Sequence, residues 1–254
     1  MARSSAGRSA LHRAVEVLDA FDAGTRDLSV TEVAQRTGMP LSTSHRILAE
    51  LVDVGLLERQ DGRRYRVGLR LWELAVRTPG ALGIRETALP YLRQAHARIG
   101  QSLQLGVLQG REMLYLERLS APGAVEHLIT VGGRVPFHAT SSGLILAAYA
   151  EDAVREALLA EPLRPYANAP LPDREELERE FAEIRAAGYK TTVNYITPGT
   201  SIAVPIFDPL GHAVATINAI VPSSEPHESQ VLDILRPTSA AISRALNRRY
   251  RGEV

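Results

Sequence analysis

The residues best equipped for chemistry run from Ser42 to Arg46, where Ser42, Thr43, Ser44, His45 and Arg46 set hydroxyls, an imidazole and a guanidinium side by side. Such groups at the leading end of a helix donate to phosphate oxygens and base edges, so the chemistry on offer is recognition rather than bond making. Behind them Ile47, Leu48, Leu51 and Val52 recur at helical spacing, which predicts a helix from about Ser42 with a buried rear face. Further along, Arg59, Arg63, Arg64 and Arg66 flank Asp61-Gly62, a dipeptide that accepts the positive φ angles of a tight hairpin turn. Guanidinium groups around a small ribbon suit phosphate contact or insertion into a minor groove.

The elements that must position these groups lie just upstream. Ser29 and Glu32 form Ser-x-x-Glu, a capping box that starts a helix, and Val30, Val33 and Ala34 share one of its faces. Gly38 can take the left-handed conformation that ends this helix, and Pro40 discourages its continuation. Leu11, Ala14, Val15, Leu18 and Phe21 follow helical spacing and predict a first helix beneath the other two. Three helices and a basic hairpin make a winged helix-turn-helix, expected over residues 10–68 after a disordered basic arm over 1–9.

With 254 residues, 45% hydrophobic and 23% charged, the chain has the composition of a folded protein of two domains. The formal net charge is zero, so any attraction to nucleic acid rests on local excess, and arginines do concentrate in the first part of the chain while glutamates crowd residues 175–183. Cysteine is absent, which removes disulfides and thiolate metal sites; neither a metal nor any other cofactor is expected. No apolar run approaches the roughly 20 residues needed to span a bilayer, and residues 1–10 lack the apolar segment of a secretory signal, so a cytoplasmic protein without membrane contact is expected.

Helical spacing continues over 68–77, Thr78-Pro79-Gly80 breaks it, and a second helical stretch covers 81–99; residues 69–99 are read as a linker with dimerisation helices. Beyond Gly100 the texture alternates. Strands are expected over 103–108, 113–119, 125–131, 190–195, 201–207 and 213–221, with helices over 139–149, 151–159, 173–187 and 225–248. Helices grouped between and after strands imply an α+β domain on an antiparallel sheet over 100–250.

Two rival readings compete with DNA binding. An enzyme could use His127, His138, His212 and His227, but these histidines lack the i, i+3 or i, i+4 spacing of a helical metal site, and no Gly-rich phosphate loop is present. Alternatively, the winged helix could contact protein in a ligand-binding interaction module. The order of helix, capped helix, Gly-Pro turn, polar-tipped helix and basic hairpin favours DNA, and the chain is read as a non-enzyme.

The segments STSHRILAEL, RRYRVGLRLWELA, VGGRVPFHATSSGLILAAYA and PGTSIAVPIFDPLGHAVATI resemble the IclR family of bacterial transcription regulators over nearly the whole chain. The resemblance implies a winged helix followed by a GAF- or profilin-like effector domain, in a cytoplasmic homodimer or homotetramer on a palindromic operator. It implies a small carboxylic or aromatic acid as effector, and a repressor as the expected direction of control. Carried over, it places Ser141, Ser142, Thr192, Ser201 and Asn218 at the effector; Leu105, Val107 and Leu116 are candidates for an apolar wall beside them, with plain core packing as the alternative. This chain departs from the family pattern at Val193-Asn194-Tyr195, where relatives carry acidic residues. Asn194 and Asn218 suit a neutral or hydroxylated compound as readily as an acid.

Overall fold

A computed structural model describes residues 9–21, 25, 27–75, 77, 81–125, 129–196, 198–224 and 228–250. The chain divides into two compact units between Pro79 and Gly80.

The first unit holds α1 (Ala10–Asp19), β1 (Leu28–Ser29), α2 (Val30–Thr37), α3 (Leu41–Asp53), the wing strands β2 (Leu57–Gln60) and β3 (Arg64–Val67), and α4 (Leu69–Ala75). The capping box forms as expected: Glu32 Oε2 accepts from the Ser29 amide at 2.7 Å and Ser29 Oγ from the Glu32 amide at 3.3 Å. These bonds, and Arg64 after them, hold the Glu32 carboxyl below the usual carboxylate range. Gly38 ends α2 at φ 68°, and Pro40 takes the position just before α3, where a missing amide proton does no harm. Val17, Leu28, Val33, Ile47, Leu48, Leu51, Leu57 and Tyr65 close the core. Leu11 and Val15, expected on the inner face of α1, are instead exposed, because Val17 and Ala20 take that place. The sequence reading also lacks β1, whose two residues pair with Arg64 and Tyr65 and make the wing a three-stranded sheet. The basic arm expected over 1–9 lies outside the described residues except for Ser9, which caps α1 through the His12 amide.

The second unit is built on a six-stranded, fully antiparallel sheet in the order β6-β5-β4-β9-β8-β7, from β4 (Ser102–Gln109), β5 (Glu112–Leu119), β6 (Arg134–Pro136), β7 (Lys190–Val193), β8 (Thr200–Phe207) and β9 (Ala213–Val221). Two long helices, α5 (Ala81–Ile99) and α9 (Glu228–Tyr250), pack Ile84, Ala88, Leu92, Leu235 and Ile242 on one face of the sheet. On the other lie α6 (Ser141–Ala148), α7 (Asp152–Leu159) and α8 (Arg174–Ala187), joined through Phe137, Leu144, Leu158, Phe181 and Ile184. The sequence reading groups α5 with the linker; its buried stripe makes it a layer of the second unit. The strand expected over 125–131 is not formed at Val125 or residues 129–131, and residues 126–128 lie outside the described ones. Gly132, at φ 82°, turns the chain there, so β6 takes the edge of β5 at 134–136. Of the closing helix expected from 225, residues 225–227 are likewise outside the described residues.

Replacing Ser29 by Ala removes one side of the capping box and should destabilise the first unit by about 1 kcal/mol. Urea denaturation followed by circular dichroism reads this directly; an unmoved first transition contradicts it.

Candidate functional site

The first unit carries a groove between the starts of α2 and α3 and the wing, enclosing about 710 Å³. Thr31, Leu41, Ser42, His45, Arg59 and Arg63 line it, so the polar tip of α3 and the wing arginines face one concavity. The Asp61-Gly62-Arg63 turn holds Gly62 at φ 72° and Arg63 at φ 60°, an unfavourable backbone for arginine that leaves its side chain exposed. Arg59 and Arg63 have no partner among the described residues. Thr43 is half-buried and does not line the groove, and Arg46 pairs with Glu50 at 2.6 Å, an exposed contact of little energy that leaves it free to swing.

Two expected DNA contacts are placed otherwise. Ser44 is fully buried, with its hydroxyl donating back to the Pro40 carbonyl at 3.3 Å, because the 3.6-residue period turns it toward α2 with Ile47 and Leu48. Arg64 donates to the Asp27 carbonyl at 2.6 Å and meets Glu32 at 3.2 Å, so it ties the wing to the start of α2. Arg66 is likewise engaged by Glu58 at 2.6 Å. The sequence reading passed over Leu41 and Thr31; Leu41 is 55% exposed at the very front of α3, where an apolar side chain can meet a thymine methyl.

In the second unit the pleat of the sheet sorts the expected effector residues. Gln104, Asn218 and Ala203 stand opposite one another across β4, β9 and β8, as do Leu105, Ile217 and Val204 one residue on. The first row faces α6 and the second faces α5 and α9. Leu105, Val107 and Leu116, expected to wall the pocket, therefore belong to the α5/α9 core on the opposite face. Asn194 is also displaced: exposed at φ 56°, it accepts from the Gly199 amide at 2.9 Å and pins the turn between β7 and β8.

Ser141, Ser142, Ser201 and Asn218 do converge. Ser142 donates to Asn218 Oδ1 at 3.1 Å, and Asn218 Nδ2 donates to Gln104 Oε1 at 3.2 Å and to Ser201 Oγ at 3.1 Å. Ser201 lies 2.9 Å from the Ser141 hydroxyl. Thr140 caps α6 by accepting from the Gly143 amide at 2.9 Å, while the amides of Ser141 and Ser142 point out of the helix start without a described partner. Tyr115 hydrogen-bonds with the side chains of Thr140 and Ser142, and its complete burial pushes the phenol up to about 12. It stays a proton donor throughout the neutral range.

Beside this cluster is a cavity of about 30 Å³ lined by Tyr115, Ala139, Thr140, Thr192, Tyr195, Ile196, Gly199, Ser201, Asn218 and Ile220. Thr192 lines this cavity, and its apolar lining is Tyr115, Ala139, Ile196 and Ile220. Gln104, a polar residue within the apolar run Ser102–Gln109, was the signal that could have identified the pocket face. No group of described residues is arranged to hold a metal ion.

A family model described as the IclR helix-turn-helix domain matches residues 10–61, and one described as bacterial transcriptional regulator IclR C-terminal matches 77–244. The chain belongs to the IclR family of bacterial transcriptional regulators. It is 29% identical over 242 residues to the HTH-type transcriptional regulator XynR of Escherichia coli, covering 93% of this chain and 96% of that one. With the HTH-type transcriptional regulator BhcR of Paracoccus denitrificans it shares 32% identity over 87% of this chain and 80% of the relative. A crystal structure of an IclR homolog from Microbacterium hydrocarbonoxydans, complexed with 4-hydroxybenzoate, superposes with TM-score 0.83 at 40% identity, covering 94% of this chain and 99% of that one. The IclR chain described here is accordingly a transcriptional regulator with a DNA-binding helix-turn-helix and an effector-binding C-terminal domain, not an enzyme.

A Cβ on Gly143 would sit 2.2 Å from the Phe137 carbonyl oxygen, so Gly143→Ala must shift α6 and should lower stability by roughly 1–3 kcal/mol, read as the thermal midpoint; wild-type melting contradicts this packing. Tyr115 keeps its proton when folded to about 12 but loses it near 10.0 when unfolded. Its contribution is therefore full below pH 10 and is lost as pH rises toward 12, an alkaline decline of roughly 2–3 kcal/mol. The decline should be shallower in Tyr115→Phe, and identical pH-stability curves for the two proteins contradict the assignment.

Proposed function

We propose that this regulator binds a palindromic operator as a homodimer or homotetramer and that a small carboxylic or aromatic acid in the Asn218 cavity sets its occupancy, with repression as the basal state. The observation that carries the reading is the hydrogen-bonded cluster beneath the start of α6, in which buried Ser142 and Asn218 meet the half-buried Ser201. Helix amides and hydroxyls favour a carboxylate, and Tyr115, Ile196 and Ile220 supply a surface for a ring. The 4-hydroxybenzoate held by the Microbacterium homolog is of this class. An acid of about ten non-hydrogen atoms exceeds the 30 Å³ cavity, so binding must displace lining side chains. That displacement is what couples occupancy to conformation, and a coupling of about 1 to 3 kcal/mol changes promoter affinity roughly five- to 150-fold.

On the DNA side, Ser42, Thr43, His45, Arg46 and Leu41 enter the major groove, and Arg59 and Arg63 hold the flanking backbone. Half-sites lie about 34 Å apart or at a multiple of it. The exposed Leu69, Trp72 and Leu74 of α4 supply an apolar surface for a second chain, and the protein works in the bacterial cytoplasm. No described helix is long and apolar enough to cross a membrane.

Polarisation titration of promoter DNA over a range of salt tests the interface. Each phosphate contact contributes a log-log slope of about −0.9, so Arg63→Ala should flatten the dependence by about that amount per chain. An unchanged slope removes Arg63 from the backbone. Ser142→Phe fills the space beside Asn218; it should retain operator binding while losing the effector's influence, and an intact effector response contradicts the pocket.

A further inference from the structure

Asn218 lines the cavity beneath α6 yet has no amide proton to give a ligand there. One N–H is spent on Gln104 Oε1 at 3.2 Å and the other on Ser201 Oγ at 3.1 Å, while its oxygen already takes the Ser142 proton at 3.1 Å. A neighbour must therefore supply the donor. Ser201 stands in the cavity wall, and it is the hydroxyl on which the Asn218 nitrogen acts.

A serine hydroxyl carries a single proton and two lone pairs. Ser201 Oγ accepts from Asn218, and the buried Ser141 hydroxyl lies 2.9 Å from it on the side away from the cavity lining. When an acceptor enters the cavity, Ser141 can donate to Ser201 and Ser201 to the ligand, so that each group in the chain is satisfied in one direction. That direction depends on the amide. Turned over, Asn218 would present its oxygen to Ser201, take the Ser201 proton and leave only a lone pair for the cavity.

Gln104 holds the amide the right way round. It is 1% exposed, stands opposite Asn218 in the β4/β9 register and is absent from the cavity lining, so it acts on a ligand only through another residue. With Gln104 Oε1 aimed at Asn218, a turned amide would set two carbonyl oxygens about 3.2 Å apart in a buried place, where their repulsion is poorly screened. We infer, on the reading of this cavity as the effector site, that Gln104 is a positioning residue for effector recognition. Through Asn218 it makes Ser201 a donor, and the cavity thereby selects a ligand that brings an acceptor oxygen, of a carboxylate or carbonyl, to that wall.

Calorimetric titration of the full chain with 4-hydroxybenzoate tests this through a double-mutant cycle. Gln104→Met keeps the bulk of the side chain without its acceptor and should weaken binding about tenfold, as should Ser201→Ala. The double variant should bind no more weakly than Ser201→Ala alone, because Gln104 acts through that hydroxyl. Gln104→Glu restores an acceptor and, buried, keeps its proton at about pH 6, so it should bind as the wild type does. Losses that multiply in the double variant mean that Gln104 supports packing alone and overturn the proposal. Wild-type affinity in Gln104→Met overturns it too, as does a Gln104→Glu variant that binds no better than Gln104→Met. A wild-type chain that ignores millimolar 4-hydroxybenzoate removes the aromatic-acid reading of the cavity and this inference with it.

Discussion

The amide of Asn218 is the constraint on which the effector unit depends. It is 2% exposed in the middle of a β-sheet, where an unpaired amide destabilises by about 1–3 kcal/mol per orphaned group. Its oxygen takes the Ser142 proton, and its nitrogen serves both Gln104 and Ser201. Satisfying it fixes the register of β4, β9 and β8 and brings the start of α6 down onto the sheet. Gly143 is then obligatory, since any side chain there would meet the Phe137 backbone. The opposite face of the same strands carries Leu105, Ile217 and Val204 under α5 and α9, so one pleat separates a polar reading surface from a dry structural core.

Much of this was legible in the sequence, and the misses share a cause. The capping box, Gly38, the Asp-Gly turn and β9 are set by local chemistry, and they stand where residue types put them. Ser141, Ser142, Thr192, Ser201 and Asn218 were reached through family resemblance, and the fold brings them to one place. For Leu105 and Val107 the alternative of core packing is the one the fold realises, because an apolar strand residue can face either way and a shift of one residue exchanges the faces. Within β4, Gln104 marks the face that carries the Asn218 cluster. Ser44 failed in the helical counterpart of the same way: among five consecutive polar residues one must point inward, and its hydroxyl is satisfied by the Pro40 carbonyl rather than by a ligand. Arg64 and Arg66 have the right chemistry for phosphate, but Glu32 and Glu58 stand close enough to claim them. The β1 strand is two residues long and formed by pairing distant in sequence, so no local pattern announces it.

These reassignments change how the DNA-binding unit works. A zero net charge leaves little long-range attraction, and two of the four wing arginines are already engaged, Arg64 with Glu32 at the start of α2 and Arg66 with Glu58 inside the wing. In the proposed reading affinity rests on Arg59, Arg63 and the exposed tip of α3, a small set per chain, which is the reason for proposing that more than one chain acts on an operator. Regulation by geometry suits such a surface, since small changes in the spacing of two weakly binding units alter the joint affinity strongly.

The central claim is that the Asn218 cluster reads the effector, and a thermal-shift screen of aromatic and short-chain acids against the wild-type chain and Asn218→Leu tests it most directly. An acid at 100 times its dissociation constant should stabilise the wild-type protein by about 2.7 kcal/mol and leave the variant's melting where it was. An acid that raises both midpoints equally would place the effector elsewhere and contradict the account.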